Sequence, residues 1–80
     1  MKIGVKILPK NEVLDTQGRA VEGTLRAHGK NVGQCRVGKY VQLEIAEDDE
    51  GKALAQAKDI AEFVLYNPLI ETFELEVVKR

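Results

Sequence analysis

From Cys35 to Ile45 the side chains alternate one by one. Cys35, Val37, Lys39, Val41, Leu43 and Ile45 share one parity, and Arg36, Gly38, Tyr40, Gln42 and Glu44 share the other. The first set is mostly apolar and the second mostly polar, which is the period-2 signature of a half-buried strand. This constrains the chain tightly, because the same stretch overlaps a nucleotide-binding pattern that demands the opposite local structure. The string "GQCRVGK", Gly33 to Lys39, spells G-x-x-x-x-G-K, all but the last position of a phosphate-gripping loop. Such a loop needs Ser or Thr after the lysine to hold magnesium, and it must open a helix. Here Tyr40 follows. A strand aims successive amides sideways into its ladder, so they do not converge on phosphate. The stretch is read as a strand, which Gly38 either bends or divides in two.

On either side lie further segments of definite period. In "KIGVKIL", Ile3, Val5 and Ile7 face one way and Lys2, Gly4 and Lys6 the other, predicting a first strand that Pro9 ends. Asp15 or Thr16 then caps a helix running to about His28 and stopping at Gly29, a residue suited to the left-handed C-cap. Val21, Thr24, Leu25 and His28 form its packing stripe, with Ala20, Gly23 and Ala27 as a small-residue flank. Glu22 and Arg26, spaced i,i+4, read as a solvated surface pair. After the long strand, the acids of "EDDE" suit the first turn of a second helix, with Asp48 or Asp49 as N-cap; capping is favoured there over metal binding. That helix carries Leu54, Ala57, Ile60, Ala61, Val64 and Leu65 on one face and ends near Tyr66, ahead of Asn67 and Pro68. The last strand, "ETFELEVV", sets Phe73, Leu75 and Val77 against Thr72, Glu74 and Glu76.

The fold class that follows is α+β: a two-layer sandwich of order β-α-β(β)-α-β, with two helices on one face of an antiparallel or mixed sheet, a relative of the ferredoxin-like arrangement. The 80 residues form a single domain, 1–80. The opposite sheet face, lined by Lys2, Lys6, Arg36, Gln42, Glu44, Glu74 and Glu76, stays polar and open. Exposed strand edges in so small a domain invite pairing with another copy.

Composition excludes several classes. A formal net charge of -1 and few aromatics speak against a nucleic-acid partner. No apolar run approaches the roughly 20 residues that span a bilayer, and "MKIGVKIL" is too short for a secretory leader, so a cytoplasmic chain is expected. The single cysteine, Cys35, falls on the apolar parity and reads as a small buried hydrophobe. The single histidine, His28, lies on the helix stripe with no identifiable partner. No Cys/His spacing suits a metal, and no cluster of groups suits a catalyst, so no catalytic residue is assigned.

Three stretches together resemble one family: "LDTQGRAVEGTLRAHG", "VGQCRVGKYVQLEI" and "NPLIETFELEV". Their joint order and the length of the chain are similar to the PurS family, the small subunit of phosphoribosylformylglycinamidine (FGAM) synthase in purine biosynthesis. The resemblance implies a non-catalytic subunit that forms a homodimer or higher homo-oligomer. It bridges a large synthetase subunit and a glutaminase subunit so that ammonia passes between them. It also implies no cofactor on this chain, with ATP and Mg on the synthetase. Gly23-Thr24 and Gln34-Cys35 depart from the family pattern. Motif positions that are polar or glycine without a core duty are the expected partner contacts: Asp15, Gly18 and Arg19, and Arg36, Gly38, Lys39 and Tyr40. Capping and bulge formation are the alternatives for Asp15, Gly18 and Gly38. A small-molecule-binding regulatory module is the alternative function, on fold-level analogy alone.

Overall fold

In a computed structural model that describes residues 1–78, the order is β1 (Lys2–Pro9), α1 (Thr16–Ala27), β2 (Lys39–Glu44), α2 (Glu50–Ile60) with a π-helical turn at Ala61–Leu65, and β3 (Glu71–Val78). The strands form one antiparallel sheet in the order β2-β1-β3. In register, Ile3 stands opposite Leu43 and Val77, Val5 opposite Val41 and Leu75, and Ile7 opposite Lys39 and Phe73. The apolar parity of all three strands therefore shares one face, as the alternation requires.

That face is covered by α2. Ile3, Ile45, Ala53 and Ala57 form one buried cluster, and Val5, Ile7 and Ala61 form another. Alanines at i, i+4 and i+8 bring the helix backbone close to the sheet, while Leu54, Ile60 and Leu65 fill the flanks. Tyr66 closes the lower end edge-on against Phe73, ring centroids 4.7 Å apart. Asp49 caps α2, its Oδ1 accepting from Gly51 N at 2.9 Å. Val64, expected on the packing face, is exposed instead. The π turn inserts one extra residue per turn after Ala61, so Leu65 and Tyr66 return to the core and Phe63 and Val64 point outward.

Two further features differ from the sequence expectation. The middle strand is six residues long and begins at Lys39, not Cys35. Residues 32–37, the strap, lie outside the sheet: β2 pairs with β1 only as far as Ile7, although β1 runs on to Pro9 against β3. Gly38 thus lies just before the paired strand, and no fourth strand forms among the described residues. Helix α1, in turn, makes no extended packing contact with α2 or any strand. Its stripe residues Val21, Thr24 and His28 are exposed, and Gly18 alone is buried between Lys10 and Gly38. The molecule is accordingly elongated. Its radius of gyration is 15.6 Å, against roughly 12 Å for a compact chain of this length.

Candidate partner-binding surface

The motif residues of the first helix and of the segment before β2 meet one another. Asp15 is the N-cap of α1: its Oδ1 accepts from Gly18 N at 2.8 Å, and its Oδ2 accepts from Val37 N at 2.9 Å. The hydrogen bonds from Gly18 and then Val37 hold its carboxyl below the usual aspartate range, with Arg36 adding a smaller effect. Gly18 is buried because the helix passes directly under the Cys35 carbonyl. A Cβ there would lie 2.9 Å from Asp15 Cγ and nearer still to that oxygen. Glu22 Oε1 accepts from Cys35 N at 3.1 Å, and Arg26 donates to the carbonyls of Val32 and Gly33. Glu22 and Arg26 also pair with each other at 3.3 Å. Far from being merely solvated, these two residues join helix to strap.

The alternation from Cys35 onward now has a local explanation. Cys35 and Val37 lie outside the sheet, so their amides find no strand carbonyl, and the carboxylates of Glu22 on α1 and of its N-cap Asp15 accept from them instead. Cys35 is half-buried, with its backbone rather than its thiol engaged. Arg36 reaches back to the Pro9 carbonyl, tying the strap to the end of β1. Gly38 is pressed against β1, where a Cβ would come within 2.8 Å of Leu8 Cδ2 and 3.0 Å of the Ile7 carbonyl carbon. Asp15, Gly18, Arg36 and Gly38 therefore have duties inside the chain.

Arg19, Lys39 and Tyr40 remain on the surface. Lys39 lies 3.9 Å from Glu71, with most of its side chain in solvent, and it opens a strand rather than a helix. Tyr40 belongs to the open sheet face, where its ring covers Gly4 so closely that a Cβ on Gly4 would sit 2.8 Å from Tyr40 Cζ. Beside it Lys6 meets Glu76 at 3.0 Å; the hydrogen bond to that carboxylate, and then its charge, raise the lysine's pKa. A polar cleft of about 520 Å³ lies between the loop at Asn11–Leu14, α1 and the strap, with Arg19 and Arg26 along one side.

Apolar side chains at two other places escaped the sequence-based search for sites. Phe63 is 84% exposed and Leu69 is 81% exposed, on the π turn and on the turn that follows. The second turn explains the string Asn67-Pro68-Leu69-Ile70-Glu71. Asn67 Oδ1 accepts from Leu69 N at 3.0 Å, and Glu71 Oε1 reaches back to accept from Asn67 N at 2.8 Å. The pair acts as a reciprocal cap that fixes the chain reversal into β3. His28 caps the end of α1, Nδ1 facing the Thr24 carbonyl at 2.9 Å, and Gly29 adopts φ 77° as a left-handed C-cap requires. No three His, Cys, Asp or Glu side chains converge on a metal position among the described residues.

Comparison with known proteins bears on the whole chain. The profile of a family described as PurS, phosphoribosylformylglycinamidine (FGAM) synthase, matches residues 2–79. The phosphoribosylformylglycinamidine synthase subunit PurS of Bacillus subtilis is 36% identical over 77 residues, which cover 95% of this chain and 90% of that one. The crystal structure of the PurS subunit from Thermotoga maritima superimposes with a TM-score of 0.87 at 30% identity, covering 94% of this chain and 87% of the other. A chain in the structure of PurLQS from Thermotoga maritima matches with a TM-score of 0.86 at 30% identity, covering 94% and 93%.

Proposed function

The chain belongs to the PurS family of phosphoribosylformylglycinamidine synthase, and from that premise we propose that it is the assembly subunit of this glutamine-dependent ligase. In this reading it joins an ATP-dependent synthetase subunit to a glutaminase subunit, so that ammonia released by one reaches the other. The observation that carries it is the whole-chain likeness to a component of the PurLQS structure. The residues agree with a bridging role, in that polar motif positions secure the fold while apolar side chains stay uncovered on α1, on the π turn and at Leu69.

The chain itself binds no cofactor in this proposal, and ATP and Mg belong to the synthetase. It works as a homo-oligomer in the cytoplasm; no helix among the described residues is long and apolar enough to cross a membrane. Arg19, Lys39 and Tyr40 are the motif positions free to touch a partner. The test is glutamine-dependent ATP hydrolysis with formylglycinamide ribonucleotide by the two larger subunits, with and without this chain. Activity that needs all three components, with the chain alone silent, is the expected result. Activity unchanged by its addition removes the proposal.

A further inference from the structure

We infer that the last turn of α2 is a register switch: Val64 and Leu65 compete for one place against the sheet, and the edge-on contact of Tyr66 with Phe73 selects Leu65. This goes beyond the assembly role and does not depend on it. In an unbroken α-helix Val64, three residues after Ala61 and seven after Ala57, falls on the face that both alanines bury. The π turn holds one more residue per turn, so Leu65, four after Ala61, takes that place instead. The two side chains are both aliphatic and differ by one methylene. The sequence thus carries an apolar residue for either phase, and no Gly or Pro between Ala61 and Tyr66 forces the choice.

The segment is bounded by a fixed point on each side. Ala61 is wholly buried and keeps α-helical φ -60° and ψ -44°. Asn67 is held by Glu71, whose Oε1 accepts from its amide at 2.8 Å, while the Asn67 carbonyl accepts from Ile70 N at 3.1 Å and Glu71 N at 2.8 Å. Only residues 62–66 need to move between the two registers. Tyr66 is the joint, because its backbone is extended, with φ -139° and ψ 158°, directly after the helical turn. A change in winding ahead of it is absorbed there.

Tyr66 also holds the selecting contact. In the π register its ring meets Phe73 with centroids 4.7 Å apart and planes at 65°, and it packs on the cluster around Val5 and Ile7. In the α register Val64 faces the sheet, Leu65 moves to the flank, and Tyr66 turns away and uncovers Phe73. An aromatic pair of this kind shifts an equilibrium by up to about tenfold. The switch therefore exchanges Val64 for Tyr66 on the surface beside the turn into β3.

A double-substitution cycle on the purified full chain, in the oligomeric state it adopts and at one fixed concentration, tests this by thermal unfolding and methyl NMR. Val64→Ala alone is expected to move Tm by less than about 4 °C. Leu65→Ala empties the place taken in the π register, so Val64 is expected to enter it. Nuclear Overhauser contacts from the Val64 methyls to Val5 or Ile7 then appear, and those between Tyr66 and Phe73 are lost. In that background Val64→Ala is expected to lower Tm by a further 5 °C or more, by about that order, because it now strikes the core. Tyr66→Ala is expected to bring the same Val64 contacts to view, whereas Tyr66→Phe, which keeps the edge-on pair, leaves them absent. An equal effect of Val64→Ala in the parent and in Leu65→Ala overturns the proposal. So does a Leu65→Ala chain that keeps Tyr66 on Phe73 or fails to fold, since Val64 has then not taken the place. Val64 methyls still turned outward in Tyr66→Ala overturn the role of Tyr66 as selector.

Discussion

Replacing Gly38 with alanine isolates the point where the strap meets the sheet. Gly38 does not have a positive φ, so alanine meets no backbone penalty there, and any effect is steric. The added methyl would stand 2.8 Å from Leu8 Cδ2 and 3.0 Å from the Ile7 carbonyl carbon, with the carbonyl oxygen closer still. Carbon atoms rest at about 3.5–4.0 Å, so these contacts fall about 0.5–1 Å short. Leu8 is partly exposed and can turn away, but the Ile7 backbone is paired with Phe73 on one side and Lys39 on the other. Overpacking against such a rigid neighbour costs about 1–3 kcal/mol. A domain of this size holds roughly 4–12 kcal/mol in all, and each kcal/mol moves its midpoint about 4–8 °C. Gly38→Ala is therefore expected to lower Tm by about 5–20 °C, measured by heat and urea unfolding at one fixed protein concentration. Gly23→Ala is the control: nothing lies within 4 Å of the new methyl, and it replaces a glycine inside α1. It is expected to strengthen the helix by about 0.5–1 kcal/mol, seen as slower exchange of the α1 amides. A Gly38→Ala protein as stable as the parent would refute the close approach of strap to β1.

Other perturbations test the remaining parts of the account. Ile3 is wholly buried between the sheet and α2, so Ile3→Ala is expected to lose about 2–5 kcal/mol by urea titration, whereas Val21→Ala on the open face of α1 should change stability by less than about 0.5 kcal/mol. Because the folded-state pKa of Asp15 lies below its ordinary 3.8, its contribution is fully present above that value and is lost as pH falls through the lower folded value. Exchange of Gly18 and Val37 should thus accelerate, relative to β1, below about pH 4, and Asp15→Asn should remove that acid step. Lys39→Ala breaks only a long, exposed ion pair with Glu71 and is expected to leave Tm within a few degrees of the parent; calorimetry should detect no ATP binding by either protein.

How far the sequence reaches depends on which interactions fix each element. The three strands and α2 were legible because alternate burial on a sheet, and alanines and leucines at helical spacing, are dictated by one apolar face meeting another. Each helix cap was legible to within one residue, because a helix start needs an acceptor within three residues, and the structure selects Asp15 over Thr16 and Asp49 over Asp48. The strap was misjudged as strand because period-2 patterning reports an extended backbone and not what pairs with it. At Cys35 and Val37 the pairing groups come from Glu22 and Asp15, 13 and 22 residues earlier in the chain. The outward turn of Val64 was illegible for a related reason, since a single π turn changes the phase of the helix without any Gly or Pro to announce it. Helix α1 has a true apolar stripe, yet within one chain no other helix or strand packs extensively on it, and a stripe by itself does not name its partner.

The same distinction decides how substitutions in the motifs should be interpreted. Asp15, Gly18 and Gly38 fall within the stretches most similar to the family, and a loss of assembly on changing them would be easy to mistake for a lost contact with a neighbouring subunit. Their surroundings point elsewhere, because each contacts the chain's own backbone at Val37, Cys35 or Ile7. Gly18→Ala would drive a methyl into the Cys35 carbonyl, so it should loosen the strap and weaken assembly together, and stabilising α1 with Gly23→Ala should restore part of both. Arg19 is different in kind: it is exposed at the rim of the polar cleft and neither caps nor packs. Arg19→Ala is expected to leave unfolding and amide exchange unchanged, while weakening co-elution with the two larger subunits about tenfold, as loss of a charged interface hydrogen bond does. Normal assembly by Arg19→Ala would remove that residue from the interface, and undiminished assembly by Gly18→Ala with a loosened strap would show that the bridge does not depend on the bonds between α1 and the strap.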